Sequence, residues 1–224
     1  MCGRYASFIP ADRMHLLFRT TNPTPNLQPS WNIAPTRDAP VVRLHPGTGA
    51  RHLDPLRWGL MPHWVKDPKS TRQPINARAE RLATAPTFRE AYARRRCLVP
   101  ADVFYEWQVT TADRPDKVPW AIAREDRETM AFAGLWEGWR GPNGMVVRTF
   151  VIATTTANPL LQPLHDRMPV ILEEADWPLW LGETEGDTGA LLRPSAAALR
   201  IWRITTAVNN VRNDGPELLE PGAA

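Results

Sequence analysis

The chain has 224 residues, of which 43% are hydrophobic and 23% charged, as is usual for a globular protein. It contains no apolar run near the ~20 residues of a membrane span, no hydrophobic segment of a signal peptide, and only two cysteines. These features argue against a membrane protein, a disulfide scaffold and a zinc site. We therefore expect a cytoplasmic, nucleoid-associated monomer with no metal, no cofactor and no membrane contact.

The net charge of +3 conceals an uneven distribution along the chain. Residues 1–110 hold sixteen Lys and Arg against eight Asp and Glu, whereas residues 111–224 hold eleven against sixteen. Most of the basic residues in the first half are Arg, the side chain best suited to bidentate phosphate contacts. This half is either a surface that binds a polyanion or an ordinary solvated surface.

The predicted elements are short and begin with a helix over residues 10–18, followed by a proline-rich loop over Thr21–Pro29. Strand-like and helix-like runs then alternate to about residue 210, without a linker that would divide the chain. We expect one α+β domain, residues 1–224, with a core over 2–210, a frayed tail over 215–224, and a curved, largely antiparallel, barrel-like sheet with short peripheral helices. The predicted strands are Val41–Leu44, Leu98–Val99, Val103–Val109, Trp120–Ala123, Met130–Leu135, Val146–Thr155, Pro169–Leu172 and Ile201–Val208, and the later helices are Ala77–Leu82, Thr87–Arg94, Glu173–Leu181 and Thr188–Leu192.

Cys2 directly follows the initiator Met1. Removal of Met1 would give Cys2 a free α-amine beside its thiol, and these groups titrate near pH ~8 and ~8.5 in model peptides. Such a 1,2-aminothiol can condense with an aldehyde to an imine and then close to a thiazolidine. Position 2 alone favours the other interpretation, an ordinary second residue.

Two polar clusters in the first half could carry chemistry. Asn76 either caps a helix or hydrogen-bonds a sugar hydroxyl or carbonyl, and in the second case Arg78 would bind a phosphate. Strand alternation places Phe104 and Glu106 on one face of a strand. Glu106 is then either a surface acid or a partly buried carboxyl with a raised pKa that could move protons.

A third cluster precedes a strand and contains His165 and Arg167. His165 is either structural or a general acid or base near neutral pH, and Arg167 could meet a phosphate. Trp58 and Trp64 flank a turn that is followed by basic residues, so one of these rings could be an exposed platform for unpaired bases. Arg4 would place another guanidinium beside whatever Cys2 attacks.

Together these motifs resemble the SOS-response-associated peptidase family, whose members process abasic sites in DNA. The resemblance covers residues 2 to about 210 in the family's motif order, and five motifs in order are specific where one would be weak. The segments that carry it are Met1-Cys2-Gly3-Arg4-Tyr5, Trp58-Gly59-Leu60-Met61-Pro62, Asn76-Ala77-Arg78-Ala79-Glu80, Phe104-Tyr105-Glu106-Trp107 and His165-Asp166-Arg167-Met168-Pro169.

The resemblance implies that Cys2 forms a thiazolidine crosslink with the ring-opened abasic sugar of single-stranded DNA. It implies that Asn76 orients the sugar or the amine, that Glu106 assists imine formation, and that His165 acts in ring opening and crosslink reversal. It also implies lyase-type chemistry and a peptidase activity that removes Met1, although an ordinary aminopeptidase would serve equally. The residues implied to hold DNA are Arg4, Arg78, Arg167, Trp64 and Trp58.

Two other functions remain compatible with the sequence. One is an N-terminal-nucleophile hydrolase, in which Cys2 attacks an amide and its own amine serves as the base. The other is a non-covalent single-stranded DNA-binding protein, whose affinity would survive loss of the thiol and fall with salt.

Overall fold

The computed structural model describes residues 2–68, 71–109 and 117–222. Across these ranges, the chain forms many short strands and a few short helices. The strands are β1 Tyr5–Ser7, β2 Ser30–Ile33, β3 Asp38–Leu44, β4 Arg51–Trp58, β5 Asn76–Arg78, β6 Arg96–Ala101, β7 Val103–Val109, β8 Lys117–Arg124, β9 Met130–Arg140, β10 Val146–Thr156, β11 Arg167–Pro169, β12 Ile171–Leu172 and β13 Leu199–Arg203, and the α-helices are α1 Ala11–Phe18, α2 Arg89–Arg94 and α3 Trp177–Leu181.

The strands form two sheets. One has five strands in the order β13-β8-β7-β1-β2, and its described pairings are antiparallel. In the other, β10 pairs with both β9 and β4, so that β10-β4-β3-β6-β9 closes into a five-stranded barrel. The short strands β5 and β11 continue along β10, and β12 continues along β9. This arrangement confirms the predicted α+β class with a largely antiparallel, barrel-like core.

Both faces of the barrel strands β3 and β10 carry buried apolar residues, because each face is covered by another layer. Along β10, Ile152 packs with residues of the five-stranded sheet, whereas its neighbour Val151 packs with the helices. The same alternation separates Val41 from Val42 on β3. Successive side chains of a strand point to opposite faces, so continuous apolar runs are expected for strands that are buried on both sides.

The other face of the five-stranded sheet is covered by the C-terminal segment. Tyr105 and Ala121 pack there against Val208, which lies in a 3₁₀ turn over Thr206–Asn209. The sheet therefore lies between the barrel and the end of the chain. This arrangement places β1, the first strand of the chain, inside the molecule between β7 and β2.

The structure corrects three of the predicted elements. Residues 76–78 pair with β10 as strand β5, and only a 3₁₀ turn over Ala79–Arg81 follows where a helix over Ala77–Leu82 is predicted. The predicted strand over Ile201–Val208 ends at Arg203. The predicted frayed tail packs through Gly222, because Leu218 is buried and the Trp202 indole donates to the Leu219 carbonyl at 2.9 Å.

Within the described ranges, no helix is long and apolar enough to cross a membrane.

Candidate functional site

The N-terminal segment brings Cys2 into the core. Strand β1 is held on one side by β7, where the Tyr105 amide donates to the Arg4 carbonyl at 3.0 Å, and on the other side by β2. Cys2 has no exposed surface, and its Sγ donates to the same Arg4 carbonyl at 3.7 Å. Burial raises the pKa of the Cys2 thiol, and the negative charge of Glu106 raises it further. The thiol is therefore protonated at neutral pH.

Asn76 contacts Cys2 directly. As part of β5 it lies opposite Ile152 of β10, and its Nδ2 donates to the Cys2 carbonyl oxygen at 2.7 Å. The alternative of a helix cap at Asn76 is therefore wrong, because pairing with β10 extends the backbone where a helix would begin. The residue links the start of the chain to the barrel across 74 positions of sequence.

Glu106 is buried on β7, with only 4% of its surface exposed. Its neighbour Phe104 packs in the same core cluster as Cys2, whereas Tyr105 faces the C-terminal segment, as strand alternation predicts. Burial raises the pKa of the Glu106 carboxyl to about 7, and the charge of Asp166 contributes in the same direction. The interpretation of Glu106 as a surface acid is therefore wrong, and the carboxyl is poised to gain or lose a proton at neutral pH.

His165 precedes β11 and is partly buried. Its Nδ1 accepts a hydrogen bond from the Arg167 amide at 2.9 Å and lies 2.7 Å from Oδ1 of Asp166. Burial lowers the pKa of His165, so the imidazole is neutral at pH 7.

Glu106 and His165 line one cavity of about 460 Å³. Arg4, which the sequence places beside the target of Cys2, lines the same cavity, whereas Lys117 and Asn209 were not predicted. Lys117 is close in space because β8 pairs with β7, and Asn209 because its Oδ1 accepts from the Trp107 indole at 2.7 Å. Pairing of the predicted strands β7 and β8 as a hairpin could have indicated that Lys117 lies near Glu106, whereas no sequence pattern indicated a position for Asn209. The lining residues are Arg4, Glu106, Trp107, Val109, Lys117, His165 and Asn209.

The three predicted phosphate ligands lie in different environments. Arg78 is exposed on β5, two residues after Asn76. Arg4 reaches the cavity wall while its Nη1 donates to Asn32 and to the Val208 carbonyl at 2.7 and 2.9 Å. Arg167 is only 8% exposed, and its guanidinium pairs with both carboxylate oxygens of Glu80 at 2.7 and 3.0 Å. Arg167 was expected to be free to bind a phosphate. Instead, its guanidinium already forms a bidentate ion pair with Glu80.

The two tryptophans considered as base platforms also differ. Trp58 has no exposed surface, and its indole donates to the Ile75 carbonyl at 2.9 Å while its ring stacks with Phe150. Trp58 is therefore a core residue, which corrects its assignment as a DNA contact. Trp64 is 54% exposed, and the next residue is anchored because the Trp139 indole donates to the Val65 carbonyl at 2.7 Å.

The arrangement brings Cys2 close to the Asn76 amide and the Glu106 carboxyl, and the Glu106 carboxyl close to the His165 imidazole. In the described part of the chain, no cluster of three or more His, Cys, Asp and Glu side chains could hold a metal ion. The chemistry that these groups offer is nucleophilic attack with proton transfer by groups that titrate near neutral pH.

Comparison with known proteins identifies the class to which this fold and site belong. Residues 1–211 match the SOS response associated peptidase (SRAP) family, and the chain belongs to that family. The abasic site processing protein YoqW of Bacillus subtilis is 38% identical over 226 residues, which cover 98% of this chain and 99% of YoqW. The abasic site processing protein YoaM of the same organism is 36% identical, with 98% of each chain covered.

A solved structure of a protein from Bacteroides thetaiotaomicron has the same fold. The two structures superpose with a TM-score of 0.84 over 99% of this chain and all of that one, at 22% sequence identity. The fold is therefore retained where most of the sequence differs.

Proposed function

We propose that the protein processes abasic sites in single-stranded DNA by forming a covalent crosslink through Cys2. The observation that carries this proposal is that Cys2 lies close to residues of two motifs that are distant from it in sequence. Asn76 binds the Cys2 carbonyl at 2.7 Å, and the charge of Glu106 acts on the Cys2 thiol. The names of the relatives YoqW and YoaM support abasic sites as the target.

The reaction requires Cys2 to be the first residue of the mature chain. Until Met1 is removed, the nitrogen of Cys2 belongs to a peptide bond and is not nucleophilic. Removal by the protein itself would account for the peptidase in the family's name, and removal by an aminopeptidase would produce the same residue.

The crosslink then forms in two steps. The α-amine of Cys2 attacks the C1′ aldehyde of the ring-opened sugar, and loss of one water gives an imine. The thiol adds to the carbon of the protonated imine and gives its proton to the Glu106 carboxylate, which closes the thiazolidine. The product contains every atom of the protein and the DNA except that one water.

The neighbouring side chains supply the proton transfers. Glu106, with a pKa of about 7, delivers a proton to the departing hydroxyl and recovers it later. His165 is neutral at pH 7, and its imidazole N–H can donate to the ring oxygen as the sugar opens. Asn76 fixes the backbone of Cys2 and thereby the direction in which the amine points.

The DNA-holding groups in this proposal are cations near the site and an exposed aromatic ring. Arg78 is exposed beside Asn76, and Arg4 and Lys117 line the cavity. The exposed ring of Trp64 offers a face on which an unpaired base can stack, at about 1–3 kcal/mol per base. These cations and the aromatic ring suit a single strand, whose bases are accessible.

Mass spectrometry of the mature protein mixed with an abasic single-stranded oligonucleotide tests the proposal. The expected product has the summed mass of both molecules less one water and survives heating in detergent. Cys2→Ala should bind the strand without forming this adduct, and Cys2→Ser should give at most a reducible imine. A heat-stable adduct with Cys2→Ala, or none with the mature wild type, would show the proposal to be wrong.

The same samples distinguish the two other functions. Cleavage of peptide or amide substrates without DNA would favour an N-terminal-nucleophile hydrolase. Salt-sensitive binding with no adduct from wild type would favour a non-covalent single-strand binder.

A further inference from the structure

Asn32 is a buried polar residue that the sequence motifs did not single out. It lies on β2, and only 4% of its surface is exposed. Its Oδ1 accepts from Nη1 of Arg4 at 2.7 Å, and its Nδ2 lies 2.7 Å from the Asn213 carbonyl and 3.1 Å from that of Asn210. A buried amide that is satisfied in this way fixes the relative positions of all its partners.

One of these partners is the guanidinium nearest to Cys2 in sequence. Arg4 is held at its backbone by Tyr105 and at its Nη1 by Asn32 and the Val208 carbonyl. The side chain nevertheless contributes to the lining of the cavity that contains Glu106. Asn32 and the Val208 carbonyl together therefore restrict the orientation of the Arg4 guanidinium.

The other partners belong to the C-terminal segment that forms the cavity wall. Val208 and Asn210, whose carbonyls face Asn32, flank Asn209, which lines the cavity. The segment is attached to β2 a second time, because Asp214 accepts from the Ser30 hydroxyl at 3.0 and 3.1 Å. Asn32 thus connects Arg4, the residue before β1, to the C-terminal segment that forms part of the cavity wall.

We infer that Asn32 is a positioning residue for DNA binding, which holds Arg4 so that the part of its guanidinium in the cavity wall meets a phosphate beside the abasic sugar. The inference rests on the proposed function, since it takes the cavity as the place of the sugar. Arg4 lies two residues after Cys2, so a phosphate next to the captured sugar comes within its reach. A guanidinium fixed in advance loses less freedom when it binds a phosphate.

A double-mutant cycle tests the inference with Asn32→Ala, Arg4→Ala and the double variant. The probe is a single-stranded oligonucleotide with a tetrahydrofuran abasic analogue, which lacks an aldehyde, so binding is measured without crosslinking. We expect each single variant to raise Kd on the order of tenfold, and the double variant to be no weaker than Arg4→Ala.

The salt dependence gives a second measurement that a merely structural role would not change. Loss of one phosphate contact reduces the slope of log K against log salt by about 0.7 for a single strand. Asn32→Ala should show the same reduced slope as Arg4→Ala. Ser30→Ala removes the contacts of the Ser30 hydroxyl with Asp214 and with the Asn32 backbone amide but leaves the Asn32–Arg4 side-chain bond, so it should retain the slope of wild type.

Additive effects in the cycle, or a wild-type slope for Asn32→Ala, would overturn the inference. Circular dichroism and thermal melting establish that each variant is folded. If Asn32→Ala does not fold, Asn32→Ser, which keeps a polar atom at the position, replaces it in the cycle. Because the analogue cannot crosslink, these results are independent of the adduct test, and failure of the proposed function is recognised separately by mass spectrometry.

Discussion

The raised pKa of Glu106 predicts how the stability of the protein changes with pH. Replacement of Glu106 by Gln keeps the size of the side chain and removes its ionisation. In the wild type the folded state holds a proton on Glu106 up to about pH 7, whereas the unfolded state releases it near 4.5. Between these values the folded chain binds more protons, so stability falls as pH rises.

The magnitude follows from the two pKa values. At about 1.4 kcal/mol per pH unit, the rise from 4.5 to about 7 corresponds to about 3 kcal/mol. This contribution is complete below pH 4.5 and is lost as pH rises through 7. The free energy of unfolding of Glu106→Gln should therefore exceed that of wild type increasingly over this interval, by up to about 3 kcal/mol above pH 7.

Urea unfolding followed by tryptophan fluorescence at pH 5, 6, 7 and 8 measures the effect. Glu125→Gln, a change at an exposed carboxyl, serves as the matched control and should follow the wild-type curve. The rate of adduct formation should also show an inflection near pH 7 that Glu106→Gln lacks. A constant difference between wild type and Glu106→Gln from pH 5 to 8 would refute the assignment of the raised pKa.

Three further predictions concern binding, reaction rate and packing. Trp64→Ala should weaken single-strand binding in anisotropy titrations by about 1–3 kcal/mol without lowering Tm, and unchanged affinity would contradict its role as a platform. Asn76→Ala removes the hydrogen bond to the Cys2 carbonyl and should slow adduct formation about tenfold, as measured in quenched time courses at saturating DNA. An unchanged rate would show that Asn76 does not orient the Cys2 amine. Gly134→Ala places a Cβ 2.9 Å from Cys97 Sγ and should cost about 1–3 kcal/mol in urea unfolding, so wild-type stability would contradict the packing.

The sequence predicted those elements whose pattern is repeated over several residues. Strand β7 matches its predicted bounds, Val103–Val109, because alternation is clear along that run. Strand β4 was missed, because Pro55 and Asp54 interrupt its pattern, and pairing with β3 supplies the order that local preference does not. Strand β5 was assigned to a helix for a related reason: its three residues are extended by contact with β10.

The motifs indicated Cys2, Asn76, Glu106 and His165 as a group, but the environment of each residue is a tertiary property. No pattern in the sequence reveals that Trp58 is buried in contact with Ile75 and Phe150 while Trp64 is exposed. Partners distant in the chain decide such differences. The same holds for Arg167, whose guanidinium is occupied by a carboxylate 87 residues away.

The burial of Cys2 is compatible with the proposed reaction because the amine and the thiol act at different times. Burial and the charge of Glu106 both raise the pKa of the thiol, so the neutral thiol does not compete for the aldehyde. In the proposed reaction, the α-amine is the first nucleophile. Once the imine has formed, its positive charge favours the thiolate, and a carboxylate with a pKa of about 7 can accept the proton. In the proposed reaction, a pKa of about 7 would allow Glu106 to deliver a proton in the first step and to remove one in the second.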